Sequence, residues 1–242
     1  MPAIRHWLFL LLFLPFAAQG QYTFPYETDA SVDLPLIGAG LLTTGVSIYL
    51  DRRVEPLTQE QVNILNQRQV AGFDQYSLRH YSHSAHQFSN ITGLTSLAFP
   101  FALLLDKPNR NHTGEILLIT MEGALLNAGL INLTKTLARR PRPFVFNGEA
   151  PMELKLKQEA RYSFFSGHTA VSSYFTFAGA QMYNDIYPDS RHKTTVWATA
   201  AVLPLLTGYG RMRAGKHFLS DVLVGYGVGA LLGVLVPRLH RL

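Results

Sequence analysis

The sequence predicts an all-α protein: a six-helix bundle with its functional loops gathered at one end, embedded in a membrane. Three observations carry this. First, 48% of the 242 residues are hydrophobic and only 15% are charged, whereas soluble domains carry roughly 25% charged residues. Second, the apolar residues fall in long runs separated by Pro, Gly and Asn clusters, which is how buried or lipid-facing helices are punctuated. Third, no stretch keeps a period-two alternation, so sheets are not expected. A mean hydropathy of +0.09 leaves a soluble exported bundle as the alternative.

Taken in order, Arg5 and His6 followed by an apolar run at 7–18 and the small residues Ala18 and Gly20 read as a secretory signal over residues 1–20. Residues 21–34 read as an extended mature N-terminus, and 35–242 as one helical domain. The helices are expected at about 35–50, 89–105, 113–138, 168–184, 194–209 and 219–236. Pro141 and Pro143 stop the third and Pro237 the sixth, since proline lacks the amide a helix interior needs. Between the first two helices, Thr58 with Gln61 three residues on has the pattern of a capping box. Gly225, Gly229 and Gly233 form a small-residue stripe that suits close helix packing.

Composition also bounds function. A net charge of +5 suits anionic substrates or anionic lipid surfaces. The basic residues lack interleaved aromatics, so nucleic acid is not an expected partner. With no cysteine, disulfides, thiolate nucleophiles and cysteine metal sites are excluded.

Three clusters carry chemistry. Lys135, Arg139, Arg140 and Arg142 close the third helix, and two prolines fix the chain around Arg142. Ser166, Gly167 and His168 open the fourth, where free backbone amides, a hydroxyl and a titratable ring favour an anion. Arg211, His217 and Asp221 span the junction of the fifth and sixth. If His217 and Asp221 share a helical face, the carboxylate accepts from one ring nitrogen and leaves the other nucleophilic. In an up-and-down bundle these junctions lie at one end, so the clusters converge.

The spacing Lys135-x6-Arg142-Pro143, then Ser166-Gly167-His168, then Arg211-x5-His217-x3-Asp221 resembles the signature of the type-2 phosphatidic acid phosphatase superfamily, with Phe165 in place of the motif proline and Gly210 in place of the motif serine. That family includes lipid phosphatases, bacterial acid phosphatases and vanadium haloperoxidases. The resemblance implies catalytic roles for His217 as nucleophile, Asp221 as its orienting carboxylate and His168 as acid and base. It implies that Lys135, Arg142, Ser166, Gly167 and Arg211 hold the phosphate. No metal or cofactor is expected, and the implied partner is a phosphorylated lipid or other phosphate ester. The expected location is a cell membrane crossed several times, with the active face on the periplasmic side. A soluble periplasmic phosphatase, a vanadate-dependent haloperoxidase and an inactive membrane scaffold are the rival readings.

Two features stand apart. His80, His83 and His86 recur every third residue and read as a polar lip of the active face rather than a metal site. Glu122 lies inside an apolar helix, where a carboxylate needs a partner, and reads as a helix-packing contact.

Overall fold

The computed structural model describes residues 23–242, so the signal reading of residues 1–20 lies outside the described residues. Among the described residues there is no strand, and an isolated antiparallel bridge joins Tyr26 to Arg241. The α-helices are α1 (Ala30–Asp51), α2 (Gln59–Ile64), α3 (His83–Leu97), α4 (Thr113–Ala138), α5 (Met152–Lys155), α6 (Gly167–Ile186), α7 (Lys193–Arg213) and α8 (Leu219–Leu239), linked by short 3-10 turns. The expected count of six is therefore not the observed one, although six of these helices are 15 residues or longer.

The central helix is α6. Ala170, Ser172, Tyr174, Thr176, Ala178, Ala180 and Met182 are fully buried along it. Beyond His168 at its start it has no exposed residue, because α3, α4, α7 and α8 all pack on it. On α8 the glycine stripe lets the backbones meet: a Cβ on Gly225 would sit 2.6 Å from the Ser166 carbonyl oxygen, so only glycine fits. Hydroxyls join the helices elsewhere. Ser96 and Ser172 are 2.6 Å apart, and Thr207 Oγ1 donates to Thr92 Oγ1 at 2.9 Å, tying α3, α6 and α7 together.

The outside is the reverse of the inside. Leu41, Leu42 and Ile48 on α1, Ile91 and Leu94 on α3, Met121 and Leu137 on α4, Leu205 on α7 and Leu231 on α8 are exposed. Such a contiguous apolar exterior is not the surface of a soluble monomer. Three segments, Ala30–Asp51, Pro108–Phe146 and Leu219–Leu239, are long and apolar enough to cross a membrane by length and composition.

Several boundaries differ from expectation: the second helix, expected at 89–105, is α-helical over His83–Leu97 and is followed by a 3-10 turn at Pro100–Leu105, and the fifth runs on to Arg213. The region read as extended to residue 34 becomes helical at Ala30, because the Asp29 side chain accepts from the Ser31 amide at 2.6 Å and caps the helix. Pro237 does not stop α8, which runs to Leu239. The amide it lacks would have bonded within the last turn, where the loss is small and the helix is already ending.

Candidate active site

The first cluster is shaped by the end of α4. Arg139 adopts a left-handed backbone (φ 44°), and its amide closes on the Lys135 carbonyl at 3.1 Å. This conformation costs a non-glycine residue about 1 kcal/mol. It turns the chain back, so that Arg140 and Arg142 return toward the bundle end. The Arg142 amide donates to the Ala160 carbonyl at 2.8 Å, which fixes the backbone there. Lys135 meets the second cluster directly: a Cβ on Gly167 would stand 3.1 Å from Lys135 Nζ. Glycine at 167 thus leaves room for the ammonium beside the first amides of α6.

Ser166 caps α6, its Oγ lying 3.5 Å from the Thr169 amide and 2.8 Å from Thr169 Oγ1. The Ser166 amide itself donates to the Asp221 carbonyl at 3.0 Å, linking the starts of α6 and α8. His168 Nε2 lies 3.1 Å from Asn90 Oδ1 on α3. Arg211 Nη1 reaches the same Asn90 oxygen at 3.4 Å and His86 Nδ1 at 2.9 Å. His86 is therefore part of the rim, as the lip reading held. His80 and His83 turn elsewhere, to the Tyr76 carbonyl and to Gln87.

His217 is 1% exposed and stands before α8, not on it. The expected shared helical face does not exist. Nδ1 lies 2.7 Å from the Ser163 carbonyl oxygen, which accepts its proton, while the nearest Asp221 oxygen is 3.8 Å away. Asp221 is the third residue of α8, and its Oδ2 accepts from the Phe218 amide at 2.8 Å and from Ser163 Oγ at 2.5 Å. So Asp221 holds Ser163, and the Ser163 carbonyl holds the ring. The result matches the aim of the expected contact by another route: Nδ1–H is fixed and Nε2 keeps its lone pair.

Sequence reasoning missed the group behind this. Arg140 donates to Asp221 Oδ1 at 2.5 Å, to Ser220 Oγ at 2.7 Å and to Asp74 Oδ2 at 2.7 Å, and its guanidinium lies 4.1 Å over the Phe218 ring. Asp74 also accepts from the Ser220 amide at 2.9 Å. Arg140 was visible in the basic run. Asp74 carried no local signal, since its partners are 66 and 146 residues away.

Electrostatics follow from this crowding. Burial first, then the charges of Arg142, Arg211 and Lys135, hold His217 well below the usual imidazole range, so the ring is neutral. Arg142 Nε and Arg211 Nε are buried and have no acceptor among the described residues. Converging cations with unmatched donors, beside a neutral imidazole and a helix N-terminus, are chemically suited to an oxyanion. Every residue named from the motifs lies at this one end of the bundle.

The sequence profile of the PAP2 superfamily matches residues 116–242, just over half of the chain. The chain belongs to the PAP2 superfamily. Among curated PAP2-like proteins it resembles phosphatidylglycerophosphatase B of Bacillus subtilis (strain 168), 35% identical over 88 residues, covering 34% of this chain and 40% of that protein. It also resembles the lipid A 4'-phosphatase of Porphyromonas gingivalis, 30% identical over 80 residues, covering 33% of this chain and 30% of that protein. The chain thus spans less than half the length of these relatives. A solved structure, a transmembrane PAP2-type phosphatidylglycerolphosphate phosphatase from Bacillus subtilis, aligns with a TM-score of 0.39 at 23% identity, over 86% of this chain and 95% of that one. Against the PAP2 pattern, Gly210 stands where the signature has serine. A Cβ there would lie 2.9 Å from Ser89 Cβ and 3.2 Å from the Ala85 carbonyl, so α7 and α3 approach too closely for a side chain. Phe165, in place of the proline, is buried against Ile131 and Ala170.

Proposed function

We propose that the protein is a membrane-embedded phosphatase that hydrolyses a lipid phosphate monoester or pyrophosphate through a phosphohistidine. The observation that carries this is the neutral, buried His217, its Nδ1 held by the Ser163 carbonyl and its Nε2 left free among Lys135, Arg142 and Arg211. In the first step the Nε2 lone pair attacks phosphorus and the bond to the leaving oxygen breaks. His168, whose basicity burial and then Arg211, Lys135 and Arg142 lower in the empty site, takes up a proton once the bound phosphate anion offsets those cations and gives that proton to the leaving oxygen. The phosphorylated ring carries positive charge, which the Ser163 carbonyl and the Asp221 carboxylate 3.8 Å away stabilise. In the second step His168 takes a proton from water, the water oxygen attacks phosphorus, the P–N bond breaks and its electron pair returns to Nε2. Phosphoryl transfer is mainly positioning and charge stabilisation, and three cations with the α6 N-terminus supply both without a metal.

A lipid substrate is supported by a cleft of about 370 Å³ between α1 and α4, lined by Ser47, Asp51, Arg52, Asn132, Lys135 and Tyr162. It brings Lys135 to the flank of the bundle beside the exposed apolar faces of both helices. The test uses the lipid labelled with radioactive phosphorus. Acid-labile, alkali-stable label should be trapped on the chain and vanish in His217→Ala; label retained in that variant would remove the nucleophile assignment. Hydrolysis of soluble esters alone would favour the soluble acid phosphatase.

The active face looks outward. The connections at the other end carry Lys107, Arg110, Arg191, Lys193, Arg238 and Arg241; the active end carries more Lys and Arg, but Lys135, Arg140, Arg142 and Arg211 among them are committed to the site, so charge alone leaves the side to the labelling test below. At 22 residues α1 is long enough to span. Tyr162 bonds Asp51, placing the far end of α1 at the active face. A translocated, cleaved export signal would put the start of α1 outside, so that reading and an outward site exclude each other. Labelling of a single cysteine placed at Lys157 in intact cells should succeed; protection there would put the site inside.

A further inference from the structure

Glu122 has a role unlike the packing contact expected of it. It is 2% exposed, midway along α4. Beside it are Asp33, in the first turn of α1, and His240, one residue beyond α8. This group lies at the end of the bundle away from the cationic pocket. The helix rise puts His240 about 28 Å from Asp221.

The three ligand-type atoms lie within 4.8 Å of one another. His240 Nε2 is 2.9 Å from Asp33 Oδ1 and 2.9 Å from Glu122 Oε1. Its Nδ1 is 2.9 Å from the Val236 carbonyl oxygen, a contact that requires Nδ1 to carry a proton. In a neutral ring Nε2 is then a bare lone pair facing two anionic oxygens, and something positive belongs between them. A proton on Nε2 serves one of them. It is aligned on Asp33, whereas neither oxygen of Glu122 receives an aligned hydrogen bond. That leaves a buried carboxylate without a donor and the trio at a net charge of −1, which costs several kcal/mol in such surroundings. A divalent cation bound to all three brings the net charge to zero. Zinc bonds nitrogen and carboxylate oxygen at ~2.1 Å, which sets neighbouring ligand atoms roughly 3.0–3.4 Å apart, within a few tenths of the two distances from His240 Nε2. The Val236 carbonyl supplies the outer hydrogen bond that typically orients a metal-binding imidazole.

We propose that Asp33, Glu122 and His240 bind one structural divalent cation of the zinc class. The ion pins α1 and α4 to the last turn after α8 and takes no part in phosphoryl transfer. The neighbouring backbone already supports this closure: the Glu27 amide donates to the His240 carbonyl at 3.0 Å and the Leu242 amide to the Pro25 carbonyl at 3.0 Å.

The test is made on the full chain, extracted in detergent and purified without chelator, with metal content and melting as readouts. Neither needs the protein to be active. About one zinc per chain is expected by elemental analysis. A strong chelator should lower the melting temperature, added zinc should restore it, and cobalt exchanged for zinc should give a visible ligand-field absorption. Asp33→Asn and Glu122→Gln keep the side-chain shape and should lose the metal and its melting response. Their initial rates, taken well below melting, should stay at the wild-type level. If the wild type holds no metal after desalting from excess zinc or cobalt, and its melting ignores both ion and chelator, the site is a proton-held trio and the proposal is overturned. That alternative has its own signature. Burial lowers the basicity of His240, but the Glu122, Val236 and Asp33 contacts outweigh it and raise it to about 9. The stabilisation would then be present below the ordinary imidazole value and be lost as pH rises through about 9. A metal-held site loses its ion as pH falls.

Discussion

The two ends of the bundle, joined by α4 and α8, present opposite problems in charge. At one end Lys135 and Asp221 belong to a pocket where Arg142 and Arg211 gather with little to neutralise them. At the other, Glu122 and His240 belong to a trio in which two carboxylates share one ring nitrogen. The same two helices thus leave positive charge uncompensated at one tip and negative charge at the other. Buried charge without a partner is costly, so each tip is completed by something outside the chain. On the proposed readings the cationic tip takes a phosphate, which comes and goes, and the anionic tip a resident cation. One end is built for turnover and the other for permanence.

The largest expected effects separate the two. His217→Ala should lower kcat/KM on the order of 10⁴-fold or more, as loss of a nucleophile does, and leave metal content unchanged. His240→Ala should do the reverse: metal content and melting temperature fall, and the initial rate well below melting is kept. If either variant moves both readouts, the ends are coupled and the contrast fails. Next, Arg211→Met should cost roughly 10²–10³-fold in kcat, the usual effect of removing one preorganised oxyanion donor, and a change confined to KM would make it a binding group only. Asp221→Asn tests the relay through Ser163. Because the Ser163 carbonyl fixes the ring, this change should cost about 10²-fold, far less than His217→Ala; equal losses would mean that the carboxylate contacts the ring during turnover. The smallest effect concerns Lys216, which lies 4.8 Å over the Phe144 ring beside the pocket. Burial first, then Arg142 and Arg211, lower it to about 8. Its charge is therefore lost as pH rises through about 8, and KM should rise there in the wild type and rise less steeply in Lys216→Met.

Much of this was legible in the sequence, and the reasons are specific. The third helix was expected over 113–138 and is observed there, because Pro141 and Pro143 leave no other end. The Thr58–Gln61 capping box formed as read, with bonds of 3.1 and 3.0 Å. The start of α1 was misplaced because Pro35 looked like a first helical residue, while the real signal was the weaker Asp29 cap. In the site, residue types and spacing gave the members but not the wiring. A gap of four residues suggested a helical pair, yet the helix starts after His217, so Asp221 turns back to the Phe218 amide instead. The Asp74 to Arg140 link depends on a contact across 66 residues, which no local pattern records.

The hydroxyl seam of Ser96, Ser172, Thr92 and Thr207 has a consequence for assembly. A chain with oily flanks and an alcohol-lined middle gains little from collapsing in water, which would sooner hide the flanks than the middle. Among the described residues α1, α4 and α8 lie in segments long and apolar enough to enter a bilayer alone, so α3, α6 and α7, which carry the seam, settle there against one another and against those three, through small residues and short side-chain bonds rather than through exclusion of solvent. The candidate site, spread over α4, α6, α7 and α8, then comes into being only when those helices have docked.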